Sequence, residues 1–79
     1  MVMTRRTKLA ERLSKSMGSK VVVLRLGRDW TQKQLAAATG VDQGFISRIE
    51  SGLVEPCLGT LGLLATAFGL SLSELLTGV

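Results

Sequence analysis

TQKQLAAATGVDQGFISRIESG, residues 31–52, is the stretch whose reading decides the fold of this chain. It reads as two short helices joined by a tight turn. Thr31 stands where it can cap the first helix, and Gln34 follows at the three-residue spacing of a capping box. Leu35 and Ala36 give that helix a small apolar face. Gly40 can take the left-handed backbone that ends a helix, so Thr39, Gly40 and Val41 form the turn. Asp42 can cap the second helix, whose Ile46 and Ile49 fall on one side at i, i+3. Ser51 and Gly52 stop it. Gln43, Gly44, Ser47 and Arg48 are left on its outer face, and amide and guanidinium groups there suit the edges of base pairs. An ordinary pair of surface helices is the competing reading.

The flanks supply a scaffold. Downstream, Pro56 marks a loop, and Leu61, Leu64, Ala65 and Phe68 recur at i, i+3, i+4, i+7 of a further helix. Gly59 and Gly62 weaken that helix, so packing rather than propensity must hold it. Gly69 ends it, and Ser71 with Glu74 forms a second capping box that opens a last short helix. Cys57 is read as a small residue opening the helix at Leu58.

Upstream, Leu9, Leu13 and Met17 recur at i, i+4, i+8, the pattern of an amphipathic helix. The spacing predicts a break or bend at Gly18 and Ser19, because running a helix through Gly18 costs about 1 kcal/mol relative to alanine. Val21, Val22, Val23, Leu24 and Leu26 favour a strand in isolation. A lone strand cannot satisfy its backbone groups, so the segment is assigned as helix, with Val22 or Val23 left facing solvent. The expected fold is all-α, five helices in one small domain. Residues 1–16 are expected to be a basic N-terminal arm or extra helix, and residues 17–79 the helix-turn-helix domain.

Charge is distributed unevenly. Residues 1–28 hold eight of the ten basic residues and one of the six acidic ones, within a chain of net charge +4. Such a basic segment attracts nucleic acid or an anionic membrane surface, or simply aids solubility. With one cysteine and no histidine, neither a disulfide within the chain nor a Cys/His metal site can be assembled. The same lack leaves no nucleophile–base constellation, so an enzyme is not expected. No cofactor is expected. The apolar runs are too short to span a bilayer and no signal-peptide pattern occurs, so no membrane association and a cytoplasmic location are expected.

From Val21 to Leu76 the chain resembles the Xre/Cro/CI-type helix-turn-helix DNA-binding domains of phage repressors and small bacterial regulators. The matching residues are L-R at 24–25, W-T-Q-K-Q-L-A at 30–36, G-V at 40–41, I-S-R-I-E-S-G at 46–52 and Pro56. They continue with T-L at 60–61, Ala65, G-L-S-L at 69–72 and L-L at 75–76. The succession covers about two-thirds of the chain in order. The stand-alone size is also similar to that of restriction–modification controllers, Cro proteins and some antitoxins.

The resemblance implies a transcriptional regulator, of repressor type, acting as a homodimer on a palindromic site in double-stranded DNA. Its recognition helix, residues 42–50, would lie in the major groove. Gln43 would read an adenine edge and Arg48 a guanine edge, with a phosphate contact or a surface salt bridge as the alternative for Arg48, and Gly44 and Ser47 lie beside them. Gly44 departs from the family pattern, in which a polar side chain is common at that position. Phe45 would press a thymine methyl or pack beneath the helix. Thr31, Gln32, Lys33 and Ser51 would lie along the phosphates. Arg25 and Glu50 match a pair that forms an internal salt bridge in this family. The alternative function is a protein-interaction module on the same fold, antitoxin-like or contacting RNA polymerase.

Overall fold

The computed structural model describes residues 7–79. Met1 to Thr4 and the cations Arg5 and Arg6, part of the expected basic arm or extra helix, lie outside those residues. Five helices follow one another: α1 (Lys8–Leu26), α2 (Gln32–Thr39), α3 (Gln43–Glu50), α4 (Leu58–Ala67) and α5 (Leu72–Leu76). No strand occurs among the described residues. The valine run is helical, as its lack of a pairing partner requires. Val21 is buried in the core while Val23 is 67% exposed.

Four of the five described helices open on a capping side chain. Thr7 accepts the Ala10 N–H and begins α1. Thr31 accepts from Gln34 N while the Gln34 side chain accepts from Thr31 N, so the capping box that opens α2 is complete. Asp42 accepts the Phe45 N–H at the start of α3. Ser71 and Glu74 repeat the reciprocal box at α5. The Ser71 backbone and hydroxyl hydrogen bonds hold the Glu74 carboxyl below its usual range. Caps of this kind each stabilise a helix by about 1 kcal/mol. Cys57 precedes α4 and offers no side-chain cap. Its thiol instead contacts the Thr60 hydroxyl at 3.3 Å, the main cause holding it below the usual thiol range.

The core gathers one face from every helix: Met17 and Val21 from α1, Leu35 from α2, Ile46 and Ile49 from α3, Leu64 and Ala65 from α4, and Leu75 from α5, with Phe68 after α4. Trp30 stacks on Phe68 with ring centroids 6.1 Å apart, and the Arg28 guanidinium lies over both rings. Arg28 also donates to the Phe68 and Leu24 carbonyls. α1 packs on α3, α2 on α3 and α4, and α4 on α5.

One expectation is corrected. α1 runs without interruption through Gly18 and Ser19. The glycine serves packing, not a break. A Cβ at Gly18 would stand 2.3 Å from the Ile49 carbonyl oxygen and 2.8 Å from that of Glu50. The missing side chain lets the α1 backbone rest on the C-terminal end of α3, which the penalty for helical glycine does not reveal. The boundary drawn between residues 16 and 17 therefore falls inside a continuous helix, where Ser14 and Met17 are both buried.

Candidate nucleic-acid interface

The turn between α2 and α3 is fixed by backbone conformation. Gly40 has φ +74°, and its N–H donates to the Ala36 carbonyl. Thr39 is buried, and its hydroxyl donates to the Leu35 carbonyl while accepting the Val41 N–H. With Ile46 and Ile49 fully buried, α3 has one possible orientation about its axis. Gln43, Gly44 and Arg48 are exposed on its outer side and Ser47 is half-buried there. No hydrogen bond or ion pair engages the side chains of Gln43, Ser47 and Arg48 among the described residues. Arg48 lies over the Phe45 ring, 5.6 Å from its centroid. Phe45 itself is half-buried against the core.

At the start of α2, Thr31 and Lys33 are exposed and Gln32 is half-buried. The capping box uses the Thr31 and Gln34 N–H groups, leaving those of Gln32 and Lys33 without a protein acceptor among the described residues. Free N–H groups at a helix start suit an anion. Ser51 caps the other end of α3 and is exposed. Gly52 follows with φ +72°, and a Cβ there would meet Lys15 of α1 at 2.7 Å. The turn that ends α3 therefore rests against α1.

Beneath this surface lies an ion-pair network. Arg25 Nε donates to Glu50 Oε2 at 2.7 Å and Arg25 Nη2 to Glu50 Oε1 at 3.2 Å, a two-pronged contact. Arg25 Nη1 donates to the Trp30 carbonyl. The side chains are 14% and 5% exposed, so both charges are largely removed from water. Gln32 Nε2 also donates to Glu50 Oε1 at 2.9 Å. The Arg25–Glu50 pair thus ties α1, the approach to α2, the first residue of α2 and the end of α3. Sequence reasoning missed the Gln32 link, since nothing in the spacing of two residues 18 apart announces it.

The basic N-terminal part divides in two. Lys20 donates to the Thr77 and Glu74 carbonyls at the end of α5, a good position for a cation. Arg25 and Arg28 are likewise engaged internally. Lys8, Arg12 and Lys15 are exposed at i, i+4, i+7, one stripe along α1 beside the turn at Gly52. An apolar groove of about 420 Å³ lies elsewhere, lined by Leu13, Met17, Pro56, Leu61, Leu76 and Val79 among others. No described helix is long and apolar enough to cross a membrane. No acidic, cysteine or histidine cluster suited to a metal occurs among the described residues.

Comparison with known proteins gives the same architecture a wider setting. The profile of the HTH_3 helix-turn-helix family matches residues 23–75. An uncharacterized HTH-type transcriptional regulator, y4dJ, of Sinorhizobium fredii is 37% identical over 65 residues, covering 82% of this chain and 84% of that protein. Among solved structures, the restriction-modification controller protein C.AhdI from Aeromonas hydrophila superposes with a TM-score of 0.75 at 27% identity. The match covers 78% of this chain and 94% of that one. The clp gene regulator ClgR from Corynebacterium glutamicum superposes with a TM-score of 0.77 at 28% identity, covering 82% and 69%.

Proposed function

The chain belongs to the HTH_3 helix-turn-helix family, and on that premise we propose that it is a sequence-specific DNA-binding transcriptional regulator. Its repressor-type action would be that of a homodimer on a palindromic operator. The observation that carries the reading is the outer face of α3, where Gln43, Ser47 and Arg48 hold unspent hydrogen-bonding groups on a helix locked by Ile46 and Ile49. In this reading α3 enters the major groove, Gln43 meets adenine and Arg48 meets guanine. Gly44 leaves room between them. The α2 start presents the Gln32 and Lys33 N–H groups and the Lys33 ammonium to a phosphate, with Thr31 as the cap and Ser51 at a second phosphate. Glu50 holds one hydrogen of the Gln32 amide and leaves the other for that phosphate.

A single motif of this size covers a short half-site, so a symmetric pair is the natural route to specificity. The likeness to regulators that carry the same fold supports DNA as the partner. The stripe Lys8, Arg12, Lys15 would extend the phosphate contacts beyond the helix-turn-helix, as the basic part of residues 1–16.

Salt titration of binding to a random duplex tests this reading. Binding is expected to weaken linearly on logarithmic axes as salt rises, with about 0.9 of slope for each neutralised phosphate. Replacing Lys8, Arg12 and Lys15 together with glutamine should lower the slope by up to about 2.7. An unchanged slope would remove the stripe from the footprint. Absence of any salt-dependent binding by the unaltered protein would favour a protein-interaction module instead.

A further inference from the structure

We propose that Phe45 is a positioning residue that presents the edge of Arg48 to a guanine, and that Gly44 keeps the space beside it clear; this rests on the reading of α3 as the base-reading helix. The two residues are one turn apart, and the guanidinium lies over the ring at 5.6 Å. Phe45 is a fixed platform: it packs against the core, and its N–H is held by the Asp42 carboxylate. A guanidinium held over a ring is anchored on its apolar side and keeps its N–H donors for a polar partner. Guanine offers that partner two acceptors, O6 and N7, whereas adenine places an N–H₂ donor where O6 would be.

The contrast within the molecule sharpens the point. Arg25 and Arg28 spend their donors on Glu50 and on backbone carbonyls. Arg48 is exposed, and its donors are unspent among the described residues. A Cβ at Gly44 would lie 3.0 Å from Asp42 Oδ2 and 3.8 Å from Arg48 Nη1. A longer polar side chain there would enter the gap between the cap and the guanidinium and compete for its edge. The residue with no side chain in the readout face therefore belongs to the readout as clearance. An arginine held over a ring also has less rotamer freedom to lose on docking than one free in water.

The test compares binding to the half-site selected by the unaltered protein with binding to duplexes carrying guanine-to-adenine changes. The unaltered protein is expected to discriminate by tenfold or more at one guanine, and Arg48→Ala to abolish that preference. Phe45→Leu should reduce the preference at least fivefold while leaving the salt slope unchanged, and Phe45→Tyr, which keeps the ring, should restore it. Gly44→Gln, whose Cβ would stand 3.0 Å from the capping Asp42 Oδ2, should weaken the preference at the same base pair, with a thermal melt checking that the start of α3 is kept. Full discrimination in both Phe45→Leu and Gly44→Gln, with Arg48→Ala still defective, would overturn the positioning role while sparing base reading by α3. An unaltered preference in Arg48→Ala would overturn both.

Discussion

Gly18→Ala is expected to lower the melting temperature by on the order of 15 °C, the consequence of about 3 kcal/mol lost in a domain of this size. The new Cβ would stand 2.3 Å from the Ile49 carbonyl oxygen and 2.8 Å from that of Glu50. Both are backbone atoms in the last turn of α3, and no side chain can swing aside to make room. α1 must lift from α3, which thins the packing around Val21 and Ile49. Helix propensity alone predicts the opposite sign, since alanine is favoured over glycine within a helix. Gly62→Ala is the control. It also lies inside a helix, α4, but a Cβ there meets nothing within 4 Å, so stability should rise by about 0.5–1 kcal/mol. Thermal melts of the two variants check this, and equal shifts for both would contradict the close approach at Gly18.

Arg25→Ala is expected to cost about 3–5 kcal/mol, because it strands the Glu50 carboxylate in a position 5% exposed to water. Gln32 would remain as a neutral donor to Glu50, which is insufficient compensation for a buried charge. Arg25→Ala with Glu50→Ala should be less unstable than either single change implies by addition, since the double change leaves no uncompensated charge. Arg25→Lys should fall between, as an ammonium cannot supply the two-pronged contact. Denaturant unfolding measures these differences. If Arg25→Ala unfolds like the unaltered protein and only DNA binding weakens, Arg25 is a DNA contact and the structural assignment is wrong.

These two positions also separate what the sequence displays from what only the fold brings together. Local patterns were legible: Thr31 with Gln34, Asp42, and Ser71 with Glu74 announce helix starts through three-residue spacings, and the structure makes each cap. Ile46 and Ile49 fix the face of α3 because their period admits one buried side. Long-range contacts were not legible from periodicity. Gly18 looked like a helix breaker because sequence shows the conformational penalty of glycine and hides the neighbour that needs the space. Lys20 read as part of a basic patch, and it is spent on the α5 C-terminus 54 to 57 residues away. Leu75 is fully buried, whereas its neighbour Leu76 is 38% exposed. The stack of Arg48 on Phe45 follows i, i+3 spacing and was within reach of the sequence. Gly44 stands out in the sequence as a position of the readout face that lacks a polar side chain.

Selection of bound sequences from a random duplex pool, using the unaltered protein, tests the central claim most directly. The predicted result is an enriched palindrome with half-sites about one helical turn apart, in which adenine and guanine preferences are lost separately in Gln43→Ala and Arg48→Ala. A pool that emerges with no enriched sequence, or an enriched site read equally well by both variants, would contradict the assignment of α3 as the helix that reads DNA.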